Sequence, residues 1–312
     1  MINYIMLFGA AVFLAGQFVM NKFFQSKNGS DIVTSLFYTS IAGGSTSLLF
    51  FIVNGFKISE IEWFSLLCSF GVAALVVLYM LIGFKIFSLG NLSAYSLFLM
   101  LGGMILPFVY GMVFLGDRES LSTAAFISRI IGVVLLIISM FFPLITKKNP
   151  EISEKKNKNS VLFIILCVAI FIMNGFVSII SKTHQIDTAH DKVDNITFVI
   201  FNNGFKFVIA GIALIIVCLV KKQKPRLADG YRPIRFIANL IIYAAFNGSS
   251  YFLQLKVAAS DLPASVQYPM LTGGSVILTA LAGFLVFREK PSKMAFIGLI
   301  ITFAATFLFL VG

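Results

Sequence analysis

Charge is scarce in this chain. Only 12% of its 312 residues are Asp, Glu, Lys or Arg, about half the roughly 25% of a soluble globular domain. There are 3 cysteines, 2 histidines and 1 tryptophan. Cys68, Cys167 and Cys218 all sit inside apolar runs, where a thiol behaves as a small hydrophobe and not as part of a disulfide framework or metal site. No Asp or Glu lies deep in any apolar run. These shortages exclude a soluble enzyme, a nucleic-acid-binding domain and a disordered scaffold. They lead us to expect no cofactor and no metal.

Apolar residues are abundant instead. They make up 59% of the chain, with 35 Phe, and the mean hydropathy is +0.96. Runs of about twenty residues recur from end to end, each long enough to cross a bilayer. Ten can be counted: 4–24, 32–54, 63–87, 91–115, 123–145, 161–182, 196–220, 234–256, 262–287 and 293–311. They are continuous rather than alternating, which predicts helices and not barrel strands. The first run has no basic segment before it and is read as a membrane helix, not a cleaved signal. The expected fold is an all-α membrane protein of ten transmembrane helices.

The formal net charge is +11. The basic residues lie in short segments between the runs, as in a membrane protein, so nucleic acid is not needed to explain them. The connections after runs one, three, five, seven and nine hold 17 Lys and Arg; the opposite connections with Arg129 hold six. The positive-inside rule then places the richer face in the cytoplasm and both termini outside.

The longest charged break, residues 146–160, falls between runs five and six. It divides the chain into a first half, 1–145, and a second, 161–312. Shifting the sequence by 170 lays run four on run nine without a gap, and ten of thirty-five positions between 88–122 and 258–292 are identical. Apolar matches mean little between two apolar helices. The shared Gly103/Gly273 followed at the same distance by Arg118-Glu119 and Arg288-Glu289 carries more weight. Lys22 and Lys182 likewise close the first helix of each half. Five spans is an odd number, so the second half must cross with opposite orientation: two inverted five-helix repeats, with a substrate site near the midplane.

The ends of runs four and nine, Phe114-Leu115-Gly116-Asp117-Arg118-Glu119 and Phe284-Leu285-Val286-Phe287-Arg288-Glu289, resemble the helix ending of EamA-type proteins of the drug/metabolite transporter superfamily. Arg stands before Glu in both halves where that pattern has Gly. The resemblance covers nearly the whole chain. It implies a secondary transporter or exchanger, often an exporter, of small metabolites. Members commonly have cytoplasmic termini, against the charge count. The related four-span multidrug exporters use a membrane-embedded Glu in their first helix. Here that helix offers Gln17 and Asn21, and the sixth offers Asn174 and Ser178.

The sharpest single feature is Lys206, about ten residues or roughly 15 Å into run seven. A charge at mid-helix costs about 2.5–3.5 kcal/mol on insertion scales, so it should face a polar cavity. There it could anchor a carboxylate or phosphate, with Asn202 and Asn203 one turn away. A structural lysine bound to carbonyls is nearly as consistent. Run eight carries Asn239, Tyr243, Asn247, Ser250, Tyr251 and Gln254 on one helical stripe, which must face protein or cavity. Run nine adds Gln267, Tyr268 and Pro269, and Tyr95 lies in its counterpart, run four. Paired aromatics of this kind could sandwich a substrate or simply pack. The glycine pairs Gly43-Gly44, Gly102-Gly103 and Gly273-Gly274 are read as helix contacts. His184, Asp187, His190, Asp191 and Asp194 are read as a solvated loop, and Arg129 as snorkelling to the interface.

The reading is a transporter, not an enzyme, in the plasma membrane. Its partners would be the lipid bilayer and a small molecule, and it would be a monomer or homodimer. An anionic or zwitterionic metabolite, such as an amino acid or organic acid, is favoured. The substrate residues would be Lys206, Asn202, Asn203, Tyr243, Asn247, Tyr251, Gln267, Tyr268, Tyr95, Gln17 and Asn174. The alternatives are a cationic metabolite or drug held by aromatics, and more remotely a lipid-modifying enzyme.

Overall fold

In the computed structural model, the described residues are 1–29, 31–88, 92–119, 121–145, 160–228, 231–288 and 293–310. Among them are ten α-helices and no strand: α1 Ile2–Asn28, α2 Ile32–Val53, α3 Trp63–Ser88, α4 Leu92–Phe114, α5 Thr123–Ile145, α6 Ser160–Ile186, α7 Asn195–Lys221, α8 Pro233–Ala258, α9 Ala264–Phe287 and α10 Lys293–Phe307. The breaks fall where the sequence places them. The charged stretch 146–159 lies outside the described residues. Among the described residues, nine helices are long and apolar enough to cross a membrane, and Phe98–Phe114 of α4 is a shorter apolar stretch. Large apolar side chains stand exposed along their outer faces, including Val113, Ile215, Leu219, Val220 and Leu285. Exposure of that kind suits a lipid surround, where helices satisfy their own backbone groups.

Two helix starts share one local device. The Asp31 carboxylate accepts the N–H groups of Val33 and Thr34 at 2.9 and 3.2 Å. Asp194 accepts those of Ile196 and Thr197 at 2.8 and 2.9 Å. Both are side-chain caps on otherwise orphaned donors. They occupy corresponding places, before the second helix of each half, within Asp31-Ile32-Val33-Thr34 and Asp194-Asn195-Ile196-Thr197. Burial works against the charge of Asp194. Hydrogen bonds from Thr197, Ser59 and Ile196 outweigh it and hold the carboxyl below its ordinary value of 3.8. A depressed carboxyl stabilises the fold above its unfolded value and loses that effect as pH falls through the folded one. Asp194→Ala should therefore lower stability by about 1 kcal/mol at neutral pH. The difference from wild type should shrink below about pH 4. Thermal unfolding in detergent across pH checks both.

The helices pack in pairs that exchange when α1–α5 are swapped with α6–α10. Helix α1 lies on α8 and α9, and α6 lies on α3 and α4; α3 meets α7, and α8 meets α2. Three pairs map onto themselves: α2 with α7, α4 with α9, and α5 with α10. All three run antiparallel. Ser40 and Ser47 of α2 donate to the carbonyls of Phe207 and Ile200, both at 2.9 Å. Ser128 of α5 donates to Leu308 O at 2.7 Å, and the Ser139 and Thr302 hydroxyls pair at 2.8 Å. Gly111, near the end of α4, abuts Ala264 at the start of α9.

Glycine makes the closest approaches. A Cβ on Gly43 would lie 3.0 Å from Asn203 O, and one on Gly102 only 2.0 Å from Phe171 O. Both belong to pairs read from sequence as helix contacts.

Two expectations need correction. Helix α6 runs on to Ile186, so His184 is not in a solvated loop. It is wholly buried, stacked on Phe64, with Nε2 2.8 Å from Ser65 Oγ. The solvated reading holds for His190, exposed and 3.0 Å from Asp187. Arg129 does not snorkel. It is 6% exposed, and its Nη1 donates to Ser265 Oγ at 3.1 Å. Depth along α5 could not reveal this, because the α4–α5 connection buries Asp117 beside it.

Candidate functional site

Helix α7 is two-sided. Phe207, Val208, Ile212, Ile215 and Ile216 face outward, whereas Val199, Asn202, Asn203 and Ala210 are buried. Lys206 lies on the inner side and keeps part of its surface accessible. Its Nζ donates to Asn203 Oδ1 at 3.2 Å. The amide of Asn203 is itself oriented by its Nδ2, which donates to Val199 O at 2.9 Å. Among the described residues the ammonium has no further acceptor and no carboxylate within ion-pair distance. An ammonium has three donors. A hydrogen bond to a charged group returns about 1.5–3 kcal/mol, and a single amide leaves two donor directions open. Gly43 of α2 stands against this stretch of α7, where an added Cβ would lie 3.0 Å from Asn203 O.

Asn202 does something else. Its Nδ2 donates to Ser69 O at 3.1 Å, tying α7 to α3. Lys206 and Asn203 are thus paired along α7, and Asn202 holds α7 against α3.

The polar stripe of α8 is divided among its neighbours. Near its start, Asn239 accepts from the Tyr38 hydroxyl at 2.7 Å and donates to Met20 O at 3.1 Å. Further along, Tyr243 accepts from Gln17 Nε2 at 3.2 Å and meets the Tyr38 ring edge-on, with centroids 5.5 Å apart. Asn247 is buried. Ser250 donates to Ala10 O at 2.8 Å. The hydroxyls of Tyr251 and Ser181 are 3.0 Å apart. Tyr243 and Tyr251 lie deep among the helices yet keep accessible surface, as Lys206 does. Asn239 and Ser250 are committed to helix contacts.

Helix α9 and its neighbours serve packing more than lining. Gln267 is fully buried and donates to Gln254 O at 3.1 Å; its Oε1 has no protein partner among the described residues. The Tyr268 hydroxyl donates to Ser178 O at 2.8 Å. Asn174 donates to Leu99 O at 2.7 Å, joining α6 to α4. The side chain of Tyr95 lies outside the described ones. The structure therefore brings together Lys206 with Asn203, and Gln17 with Tyr243. Sequence reasoning missed Tyr38, whose hydroxyl inside an apolar run was a readable sign that it needs a partner.

Among the described residues, no group of three or more His, Cys, Asp or Glu could hold a metal ion. None of the ten helices contains an Asp or Glu.

Comparison with known proteins bears on this. Residues 192–311 match the EamA-like transporter family. This EamA-like stretch runs from the connection before α7 through α10 and includes Lys206. The match covers that stretch alone, and the apolar helices along the chain suit a multi-pass membrane protein. A solved structure described only as "Crystal structure of protein" aligns with a TM-score of 0.69 at 13% identity, covering 98% of this chain and 96% of that one. At that identity the likeness speaks for the fold alone. No curated protein matches the chain.

Proposed function

We propose that this protein moves a small anionic or zwitterionic metabolite, such as an amino acid or organic acid, across the cell membrane by alternating access. The observation that carries the substrate class is the Lys206 ammonium, held by one amide with no carboxylate partner among the described residues. An incoming carboxylate or phosphate would supply the missing acceptors. Asn203 orients the ammonium, while Gln17, Tyr243 and Tyr251 offer amide and hydroxyl groups to the substrate body. A cation would have to approach a lysine in helices that hold no acid.

The mechanism draws support from the packing. Three self-paired helix contacts that all run antiparallel are what two inverted five-helix halves, 1–145 and 161–312, would produce. Such halves close alternately over one central site. The charge count supports placing the face with 17 basic residues in the cytoplasm. The enzyme alternative loses support, because His184, which it would need at an accessible surface, is packed between Phe64 and Phe198.

A thermal-shift screen of purified protein in detergent tests this reading, since a ligand that binds the folded state raises its apparent stability. The panel holds amino acids, organic acids, sugar phosphates and quaternary amines. Stabilisation by anions or zwitterions that disappears in Lys206→Ala is expected. Stabilisation by amines that survives in the variant would overturn the anionic assignment.

A further inference from the structure

Each end of the helical bundle holds a fully buried ring in a similar frame. Phe24 and His184 are both wholly buried, near the ends of α1 and α6. The offset of 160 that lays Lys22 on Lys182 also lays Phe24 on His184. Phe24 stacks on Tyr38 of α2 with centroids 4.1 Å apart, and it meets Phe236 in the first turn of α8 at 5.9 Å. His184 meets Phe198 of α7 at 4.3 Å and stacks on Phe64 in the first turn of α3 at 5.5 Å. In both cases the end of a half's first helix meets a ring from that half's second helix and a ring from the start of the other half's third. Both plugs border the candidate site. Tyr38 touches Tyr243 at 5.5 Å, and Phe198 approaches Tyr251 at 6.3 Å.

The two central rings differ in one respect: His184 can take up a proton and Phe24 cannot. The Gln185 amide nitrogen lies 3.0 Å from His184 Nδ1. Nδ1 therefore accepts, and the ring proton sits on Nε2. Nε2 donates to Ser65 Oγ at 2.8 Å, and Ser65 Oγ also accepts the Val193 N–H at 3.1 Å. The neutral ring thus ties α6 to α3 and to the connection before α7. A second proton turns Nδ1 into a donor facing a donor, and the Gln185 amide must turn over to meet it. The charged groups that act on the ring come from the 187–194 connection. Lys192 donates to Gln185 O at 2.9 Å, and Asp187 is engaged by the exposed His190 at 3.0 Å. Asp194 is spent on the α7 cap. Helix α3 brings Phe64, Ser65 and the half-buried Cys68, and α7 brings Phe198. Among the described residues no carboxylate lies within ion-pair distance of His184. Burying an unpaired charge costs more than contact with aromatic rings returns.

We propose that His184 makes the closure of its end of the transport path proton-sensitive: the neutral ring seals that end, and a proton on the ring opens it. With the end open, the imidazole meets water and titrates near its ordinary value of about 6.5. With the end closed, the proton is excluded. Acid therefore shifts the population toward opening, as does any ligand that binds one of two states. The rings of the Phe24 plug keep their charge state between about pH 5 and 8, so the opposite end has no such switch at its centre. On the charge count the His184 end faces outward. The inference rests on the alternating-access reading but not on the identity of the substrate.

One reporter cysteine tests it without any ligand. Ser181→Cys lies one helical turn inside His184, at a residue only 7% exposed. It is introduced into full-length protein whose native cysteines are alanine. Labelling by a membrane-impermeant maleimide is followed in proteoliposomes opened to both sides, at about pH 7.5 and about pH 5.5, on either side of the histidine range. His184→Phe gives this plug the ring found at its counterpart. Thiol chemistry is common to both proteins, so the ratio of their rates isolates the plug. The rate with His184 divided by the rate with His184→Phe should rise about five- to tenfold between the two pH values, the limit for one group titrating near 6.5. His184→Gln should give the same ratio as His184→Phe, and it decides the matter if the phenylalanine variant does not fold. The rise should persist in His190→Gln, which removes the exposed histidine on the outer face of Phe64. A purely structural His184 would change the rate by the same factor at both pH values. That flat ratio, or a rise abolished by His190→Gln, overturns the proposal and leaves alternating access standing. Labelling absent at both pH values in every protein overturns the two together. Because no substrate is present, failure here leaves the Lys206 assignment standing, and failure of the ligand screen leaves the proton-sensitive plug standing.

Discussion

Lys206→Met should reduce transport of the anionic substrate by about ten- to hundredfold and leave the protein as stable as wild type or more so. The transport loss follows from the strength of hydrogen bonds to charged groups, about 1.5–3 kcal/mol, equivalent to roughly one to two powers of ten. The stability result follows from the opposite side of the same geometry. The wild-type ammonium has one protein acceptor among the described residues, and keeping a lysine at that depth costs about 2.5–3.5 kcal/mol. Methionine keeps the apolar stem and removes the cost. A lysine retained for structure would behave the other way, with stability falling when its charge is removed. Uptake into proteoliposomes and thermal unfolding of the same preparation separate the two. Unchanged uptake with a lower unfolding temperature would sink the anchor. Lys206→Arg keeps the charge but replaces a compact ammonium by a larger planar head, so partial uptake is expected.

The helices were legible because each needs about twenty apolar residues and the breaks between them are polar. Hydrophobic length says where a helix is but not which way each side chain turns. The stripe on α8 shows the difference. Its spacing was read correctly, yet Asn239 and Ser250 went to α1 and α2 while Tyr251 went to α6. One helical face is wide enough to meet three neighbours, and spacing alone cannot divide it among them. Lys206 was conspicuous for the converse reason: a charge stands out in an apolar run whatever surrounds it. Arg129 was equally conspicuous and was misread, because its partners come from a connection and another helix start. Asp117 and Ser265 are 148 residues apart, and nothing local to either announces the contact. The matched Asp-x-Val/Ile-Thr caps were present in the sequence and were a cleaner sign of repetition than the apolar identities.

Gly102→Ala should be among the most damaging single substitutions in the chain, although it adds one methyl group. The new Cβ would stand 2.0 Å from Phe171 O and 2.7 Å from its carbonyl carbon, both backbone atoms of α6. No rotamer relieves this, so α4 and α6 must move apart. Overpacking of this kind costs about 1–3 kcal/mol, occasionally more, and an obstacle made of backbone places it at the upper end. The separation would carry off the bonds that join the two helices, from Asn174 to Leu99 O and from Ser178 to Gly103 O. It would also shift Ser178, which receives the Tyr268 hydroxyl. Transport should therefore fall together with stability. Gly71→Ala is the matched comparison. It adds the same methyl in a helix where nothing lies within 4 Å, and alanine is better than glycine in a helix by about 0.8–1 kcal/mol. It should leave uptake unchanged and raise the unfolding temperature slightly. Opposite signs from one chemical change would establish that the α4–α6 contact is set by backbone proximity. Equal effects would show that Gly102 is not a close-packing position and that the two helices have room to spare.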